Sequence, residues 1–247
     1  VRDVREAARG QGVRGTPGMT GDAHEPLEYY SPPSGLRMDG IREGTSVQPT
    51  VVIPTFWTRR RSRGLDRANI RFDHPTPLGE EGTLPTCLKS LETVDGLGRV
   101  VVIVAVTDAA IEHAAEDRVR EIVADYPGID ALIVGPAEIG SLHRRMEQLE
   151  FADLIEGVSL AGYGGVRNVG LMVGSVLGSE VVVFVDDDQV ITDGSFLTRS
   201  LEGMGQRDGQ GRIVLAKSGY YTDDAGSYVL PGQTPWSDTF WRQRELY

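Results

Sequence analysis

The chain has 247 residues, and 40% of them are hydrophobic, which is enough for one sizeable α/β core. Its 36 acidic and 25 basic side chains give a formal net charge of −11, which argues against a general nucleic-acid binder, since such a protein needs a basic face. The apolar runs at 100–106 and 181–185 are far too short to cross a bilayer, so no transmembrane segment is predicted. One cysteine, Cys87, allows no intrachain disulfide and is typical of a reducing compartment, which predicts a cytoplasmic protein.

The N-terminal stretch differs in composition from the rest of the chain. Residues 1–48 are rich in Gly, Pro, Ser, Arg and Glu and show no sustained hydrophobic period. This composition predicts a disordered tail or one that is draped over the surface. Residues 49–247 are then expected to form one domain.

Four apolar, β-branched runs predict buried strands, and the first should end at Pro54, because proline cannot donate to a sheet ladder. The strands are expected at 50–55, 99–106, 129–134 and 181–185. Between them we expect a helix after an N-cap at Thr83 and helices over 109–126, 137–156 and 166–177, the last following a flexible glycine turn at 162–165. Then follow a short helix at 195–204, a strand at 212–217, a hairpin at 219–230 and a final helix at 235–247. Strands that alternate with helices predict an α/β fold with a mainly parallel sheet and a C-terminal β-hairpin beside it.

The strand at 181–185 runs directly into three carboxylates, Asp186, Asp187 and Asp188. Ligands of open α/β sheets bind beyond the carboxyl ends of such strands. Side chains alternate along an extended chain, so Asp186 and Asp188 should point to one side and Asp187 to the other. Converging carboxylates repel each other unless a cation lies between them, and oxygen ligands suit Mg²⁺ or Mn²⁺, ions that also hold substrate phosphates. The alternative is a solvated acidic turn that caps the next helix.

Three motifs in the order of the chain resemble those of the GT-A glycosyltransferases, closest to family 2. They are the strand Thr50–Thr55 (TVVIPT), the helix start Val166–Leu171 (VRNVGL) and the strand end Phe184–Asp188 (FVDDD), and together they span roughly residues 50–195. The resemblance implies a Rossmann-like GT-A fold and the transfer of a sugar from a nucleotide-diphosphate sugar to an acceptor, with Mg²⁺ or Mn²⁺ as the cofactor.

The resemblance also implies roles for residues of the first two strand ends and of the helix. Pro54 and Thr55 would lie beside the nucleotide, and Asp108 would contact the base, although its neighbour Thr107 stands where family members often carry a second acid. Arg167 and Asn168 would face the donor near the diphosphate. The alternatives are an N-cap for Asp108 and a surface cap with a salt bridge for the Arg167–Asn168 pair.

At the third strand end, Asp186 would approach the ribose and Asp188 would ligate the metal, with Asp187 beside the donor. A diphosphate leaving group gains negative charge as the glycosidic bond breaks. A divalent cation and Arg167 would stabilise that charge in the transition state.

The acceptor side is less well defined by the sequence. The long stretch after the first strand carries six arginines, which would suit a phosphorylated or carboxylated acceptor or an anionic lipid head, and so a peripheral position at the inner membrane surface; a solvated basic loop is the alternative. These arginines are Arg59, Arg60, Arg61, Arg63, Arg67 and Arg71. His74 is a candidate on the same side, and the alternative is a histidine with a structural role in its loop. Trp236 belongs to an aromatic helical stripe that would stack on a sugar ring or pack in the core.

No clear catalytic base follows the three acids. Inverting members of the family use a downstream carboxylate to deprotonate the acceptor. The late candidates are Asp223, Asp224 and Asp238, of which Asp223 and Asp224 also suit a hairpin turn. The final helix pattern stops abruptly, so we expect a domain cut short of its acceptor half, and the alternative is a retaining mechanism without a protein base.

Three other function classes compete with a transferase. A nucleotidyltransferase of the nucleotide-sugar type would share the sheet and the metal, but it normally carries a glycine-rich loop after the first strand. A dinucleotide-binding oxidoreductase needs a G-x-G-x-x-G motif there, and the sequence at Pro54–Trp57 excludes it. A non-catalytic domain that binds a nucleotide sugar or a protein partner is the third alternative.

Overall fold

The computed structural model describes residues 48–59, 72, 75–219 and 222. All of them belong to one compact unit, residues 39–247. The predicted tail except Gln48, the predicted final helix and nearly all of the predicted hairpin lie outside the described residues. Within the described part, no helix has the length and hydropathy that a membrane span requires.

A parallel sheet of five strands lies at the centre of the fold. The strands are β1 (Thr50–Thr58), β2 (Thr76–Pro77), β3 (Val100–Val106), β4 (Ala131–Val134) and β5 (Val182–Phe184). β1 pairs with β3 along one side and with β5 and then β2 along the other, while β4 pairs with β3. Every pairing is parallel, which confirms the predicted α/β class with a mainly parallel sheet.

β1 does not end at Pro54, and the prediction that proline stops this strand is wrong. Backbone bonds of the odd residues Val51 and Trp57 run to β3, whereas Thr50 and Val52 bond to β5. Pro54 is an even-numbered residue like Thr50 and Val52, so the backbone position that lacks an N–H faces the β5 side of β1 and not β3. Pro54 therefore ends the pairing with β5 only, and the β3 ladder continues past it to Trp57.

Helices connect the strands, in the order predicted. They are α1 (Leu84–Leu91), α2 (Glu112–Ala124), α3 (Pro136–Gln148), α4 (Tyr163–Val176) and α5 (Phe196–Leu201), with 3₁₀ turns at Ala109–Ile111 and Ala152–Gly157. Thr83 precedes α1 as predicted, although its side chain makes no capping bond. The predicted strand at 212–217 is wrong, since this stretch contributes only an isolated antiparallel bridge, Arg207 to Ile213.

Two helix boundaries differ from the prediction for local reasons. α3 stops at Gln148 rather than 156, because Glu150 adopts a left-handed φ of 65° and the chain reverses there. α4 begins at Tyr163 and includes the glycines that composition alone assigns to a flexible turn. Gly165 packs tightly against Ser159, where a Cβ would lie 2.6 Å from the carbonyl oxygen of Ser159.

The two faces of the sheet are covered by different helices. Val51, Ile53 and Trp57 pack with α1 and α2, whereas Val52 packs with α3 and α4. β1 and β3 are almost fully buried, but Val182–Phe184 are only half-buried, so the prediction of a fully buried β5 is wrong. α4 approaches β5 closely because Gly170 faces it: a Cβ there would lie 2.6 Å from the Phe184 ring.

Candidate functional site

An opening in the sheet lies beside the second half of β1. β5 leaves β1 after the bond from Val185 N to Val52 O at 3.0 Å, and β2 joins only at Trp57. Between these points no strand in the described ranges pairs with β1 on that side. Asp186, Asp187 and Asp188 follow β5 into this opening. An opening at the carboxyl ends of parallel strands is where ligands of α/β proteins bind.

Asp186 lies on the α4 face of the sheet and is held on two sides. Arg167, on the second turn of α4, donates from Nη2 to Asp186 Oδ1, and its guanidinium lies 4.7 Å from the centroid of the Phe184 ring. Gln189 accepts from the Asp186 backbone N–H at 3.2 Å and donates weakly to Asp186 Oδ2 at 3.4 Å. The ion pair is half exposed, so an incoming anion can still reach Arg167.

Asp187 lies on the opposite face, towards α1. It accepts a hydrogen bond of 2.7 Å from the fully buried Thr55, which links the end of β5 to β1. Burial raises the pKa of Asp187 from 3.8 to about 6, with the charges of Asp188 and Asp186 adding to the rise and the bond from Thr55 opposing it. The same acids surround Cys87, whose pKa rises to about 12, chiefly through burial. Cys87 is fully buried and belongs to the core that packs α1 against the sheet.

Asp188 is exposed and makes neither a hydrogen bond nor an ion pair with the described residues. A turn closed by a bond of 3.0 Å from Gln189 N to Asp186 O takes the chain out of the extended conformation here. The alternation predicted from an extended chain therefore holds between Asp186 and Asp187 and does not extend to Asp188. Asp188 is the acid of the three that is free to bind a ligand.

At the end of β3, Asp108 acts as the N-cap that the alternative interpretation predicts. Its Oδ1 accepts from Ala110 N at 2.9 Å, at the start of the 3₁₀ turn. Its Oδ2 lies 3.3 Å from Arg59 Nη2, in an exposed ion pair. The contact gives Arg59 a structural partner at the end of β1. Contact between Asp108 and a nucleotide base stays a prediction.

Asn168 lies beside Arg167 in sequence but has a different role in the fold. Its side-chain amide donates a bond of 2.7 Å to the carbonyl of Gly157, which ties α4 to the 3₁₀ turn at Ala152–Gly157. Of the Arg167–Asn168 pair, only Arg167 reaches the acids. Pro54 borders the opening, because its backbone faces the side of β1 where the pairing with β5 has ended.

Several predicted site residues lie outside the described residues. They include His74, Asp223, Asp224, Asp238 and Trp236. Their proposed roles on the acceptor side and as catalytic bases stay predictions.

The acids at the opening outnumber the cationic side chains that pair with them. Asp186, Asp187 and Asp188 are consecutive, and among the described residues Arg167 is the one cationic side chain that pairs with any of them. No group of three or more His, Cys, Asp and Glu side chains in the described ranges could hold a metal ion. An ion of the Mg²⁺ type needs fewer protein ligands, since one or two carboxylates can hold it together with waters and substrate phosphates.

Sequence reasoning missed two residues that shape the site. Gln189 forms hydrogen bonds with both the backbone N–H and the carboxylate of Asp186. Its position three residues after Asp186 is the spacing of a turn, which is the signal that could have revealed it. The Phe184 ring beneath Arg167 could not have been found by spacing, because it depends on how closely α4 packs on β5.

Comparisons with known proteins add no family assignment. No family model matches the chain, and searches of curated proteins and of solved structures also give no match. The function is therefore argued from the site itself.

Proposed function

We propose that the chain is a metal-dependent glycosyltransferase that moves a sugar from a nucleotide-diphosphate sugar to an acceptor hydroxyl. One observation carries the proposal: Asp188 is exposed, has no partner among the described residues and lies in a turn with an arginine-bound Asp186, at an opening beside the carboxyl end of β1. A divalent ion would supply the positive charge that Asp188 lacks as a partner among the described residues. The diphosphate bound to that ion would supply a negative group for Arg167. The sequence resemblance to GT-A enzymes supports the same class.

The residues would divide the work as follows. Asp188 would hold Mg²⁺ or Mn²⁺, with Asp186 close by in the same turn. The bound cation would neutralise the charge that develops on the leaving diphosphate. Arg167 is half exposed, so it would exchange part of its contact with Asp186 for the diphosphate and stabilise the same developing charge.

Asp187 and Thr55 would act beneath the ligand rather than on it. Their hydrogen bond joins β5 to β1 just below the turn that carries Asp188. A ligand site must be held rigidly to be effective, and this buried bond supplies that support. Sugar donor and acceptor would then meet above β1, on the side of the sheet where β5 and β2 separate.

Thermal unfolding with a panel of ligands tests the proposal. We expect UDP or GDP, or one of their sugars, to raise the melting temperature by roughly 5 °C at saturating concentration with Mn²⁺ and by much less with EDTA. A nucleoside triphosphate response that exceeds the diphosphate response would favour the nucleotidyltransferase alternative. A response to NAD(P) alone, or to none of these ligands, would contradict the proposal.

A further inference from the structure

Helix α1 contacts the chain on both sides of the turn that carries the acids. We call residues 186–189 the acid turn. Cys87 and Ser90 are three residues apart on α1 and so lie on one face of the helix. The thiol of Cys87 donates weakly to the carbonyl of Asp186, with 3.7 Å between sulfur and oxygen. The hydroxyl of Ser90 accepts a bond of 3.0 Å from the backbone N–H of Ile191. The acid turn therefore lies between two contacts with the same helix.

Ser90 uses its hydroxyl as a donor and as an acceptor. A hydroxyl has one proton and two lone pairs, and Ser90 donates the proton to the carbonyl of Cys87 at 2.7 Å. This local bond is the usual one for a serine within a helix. It leaves the lone pairs for the N–H of Ile191, and that second bond joins residues 101 positions apart. Ser90 thus connects α1 to the chain just after the acid turn.

The acid turn is attached to the fold at both of its ends. Before the turn, Val185 donates from its backbone N–H to the carbonyl of Val52 at 3.0 Å. After the turn and the bond to Ser90, the carbonyl of Gly194 accepts a bond of 2.8 Å from the backbone N–H of Asp95. Asp188 makes no bond of its own with the described residues, so its position depends on these attachments.

We propose that Ser90 is a positioning residue for Asp188, a role that rests on the proposed function of the acids as a metal site. Ser90 lies on the α1 side of the acid turn and acts through the main chain at Ile191. By fixing the chain that leaves the turn, it limits the directions that the Asp188 carboxylate can take. A carboxylate that is held in place before the metal arrives loses less conformational freedom on binding. Hydrogen bonds that orient metal ligands raise affinity for the same reason.

Hydrogen exchange of the ligand-free chain tests the attachment alone. In Ser90→Ala, the amide of Gln189, which closes the acid turn, should exchange at least about tenfold faster, because the turn opens more often. The amide of Val185 should be unchanged, since its bond to β1 lies before the acids. The matched control is Ser200→Ala. It removes a hydroxyl that donates at 2.8 Å to the carbonyl of Phe196 within α5, and it should leave Gln189 unchanged.

Calorimetric titration tests the consequence for the ligand. Ser90→Ala should weaken Mn²⁺-dependent binding of UDP or GDP about tenfold, at a temperature where the variant is fully folded. Ser90→Thr keeps a hydroxyl that can make the same bonds, so it should restore both the affinity and the exchange rate of Gln189. Ser200→Ala should leave the affinity unchanged.

Two results would overturn the role of Ser90. One is unchanged exchange at Gln189 in Ser90→Ala, and the other is unchanged nucleotide affinity in that variant. Absence of nucleotide binding by the wild type would contradict the proposed function instead. In that case the exchange measurement, which needs no ligand, still decides whether Ser90 holds the acid turn.

Discussion

Asp108 and Asp187 both follow parallel strands of the same sheet, yet the fold places them in opposite environments. Asp108 is exposed, caps a 3₁₀ turn and pairs with Arg59. Asp187 is largely buried, and its carboxylate accepts a hydrogen bond from Thr55. The pKa of Asp187 rises to about 6 because burial penalises its charge. A position at a strand end therefore does not define an acid's role, which is set by the neighbouring groups and by access to water.

The same comparison distinguishes the three acids after β5 from one another. Asp187 faces α1 and supports the turn, Asp186 faces α4 and binds Arg167, and Asp188 is left exposed. A ligand site needs both a rigid support and a free group, and these adjacent residues supply both. The following predictions test this division, from the largest expected effect to the smallest.

Replacing Asp188 should have the largest effect on ligand binding. Asp188→Ala is expected to weaken Mn²⁺-dependent binding of a nucleoside diphosphate by at least about 100-fold, since losses in the outer shell of metal sites already cost 10–100-fold. The free energy of unfolding should change little, because the side chain has no partner among the described residues. Calorimetric titration measures the first quantity and urea unfolding the second. Binding as tight as that of the wild type would remove Asp188 from the metal site.

Asp187 should make the free energy of unfolding depend on pH. Its carboxyl ionises at about 6 in the folded chain and near its ordinary 3.8 in the unfolded chain. Between these values the folded state holds a proton that the unfolded state has lost, so stability is greatest below pH 4 and falls as pH rises to about 6. For this acid the loss is at most about 3 kcal/mol.

Asp187→Asn should remove that loss, because an amide carries no charge at any of these pH values. Urea unfolding in EDTA, repeated from about pH 4 to about pH 7.5, gives the comparison. The variant should gain stability relative to the wild type as pH rises, and the difference should level off above about pH 6. Parallel profiles for the two proteins would show that Asp187 is not the buried acid that we describe.

Removing the hydroxyl of Thr55 should lower the free energy of unfolding by somewhat less than the ionisation of Asp187 does. Thr55→Val leaves the carboxylate of Asp187 buried without its donor, so we expect a destabilisation of about 2 kcal/mol at neutral pH. The loss should be smaller at about pH 4.5, where Asp187 is mostly protonated in the folded chain.

The matched control is Thr107→Val, at the end of β3. Thr107 donates to another hydroxyl, that of Thr58, at 3.0 Å rather than to a carboxylate. Thr107→Val should lower the free energy of unfolding by about 1 kcal/mol or less, both at neutral pH and at about pH 4.5. Equal losses for Thr55→Val and Thr107→Val would contradict a special role for the bond between Thr55 and Asp187.

Asp108→Asn should have the smallest effect. Both side chains of the ion pair between Asp108 and Arg59 are exposed, and an asparagine still caps the 3₁₀ turn. The free energy of unfolding should therefore change by less than about 0.5 kcal/mol. Metal affinity should not change. A large change in stability would show that the two strand ends are less different than the structure indicates.

Much of the fold could be predicted from the sequence because hydrophobic burial sets its pattern. The runs at 100–106 and 181–185 and the leucine face of α1 predict strands and a helix wherever such residues can be buried. The orientation of single backbone groups is harder to predict. Pro54 breaks one ladder and leaves the other intact, and only the pairing on both sides of β1 shows which.

About as much of the candidate site as of the fold could be predicted from the sequence. Alternation along an extended chain gives opposite directions for Asp186 and Asp187, and the structure has them on opposite faces. The turn that frees Asp188 depends on Gln189, and the support from Thr55 joins residues 132 positions apart. Such contacts follow from strand register and helix packing, which no local pattern specifies.

The central claim is that the acids after β5 bind a nucleoside diphosphate through a divalent cation. Calorimetric titration of UDP and of GDP into the full chain, with Mn²⁺ and again with EDTA, tests it most directly. The account predicts binding of at least one nucleotide with Mn²⁺, weakened strongly by EDTA and by Asp188→Ala but not by Asp108→Asn. Binding that is equally tight in EDTA, or absent for both nucleotides, would contradict it.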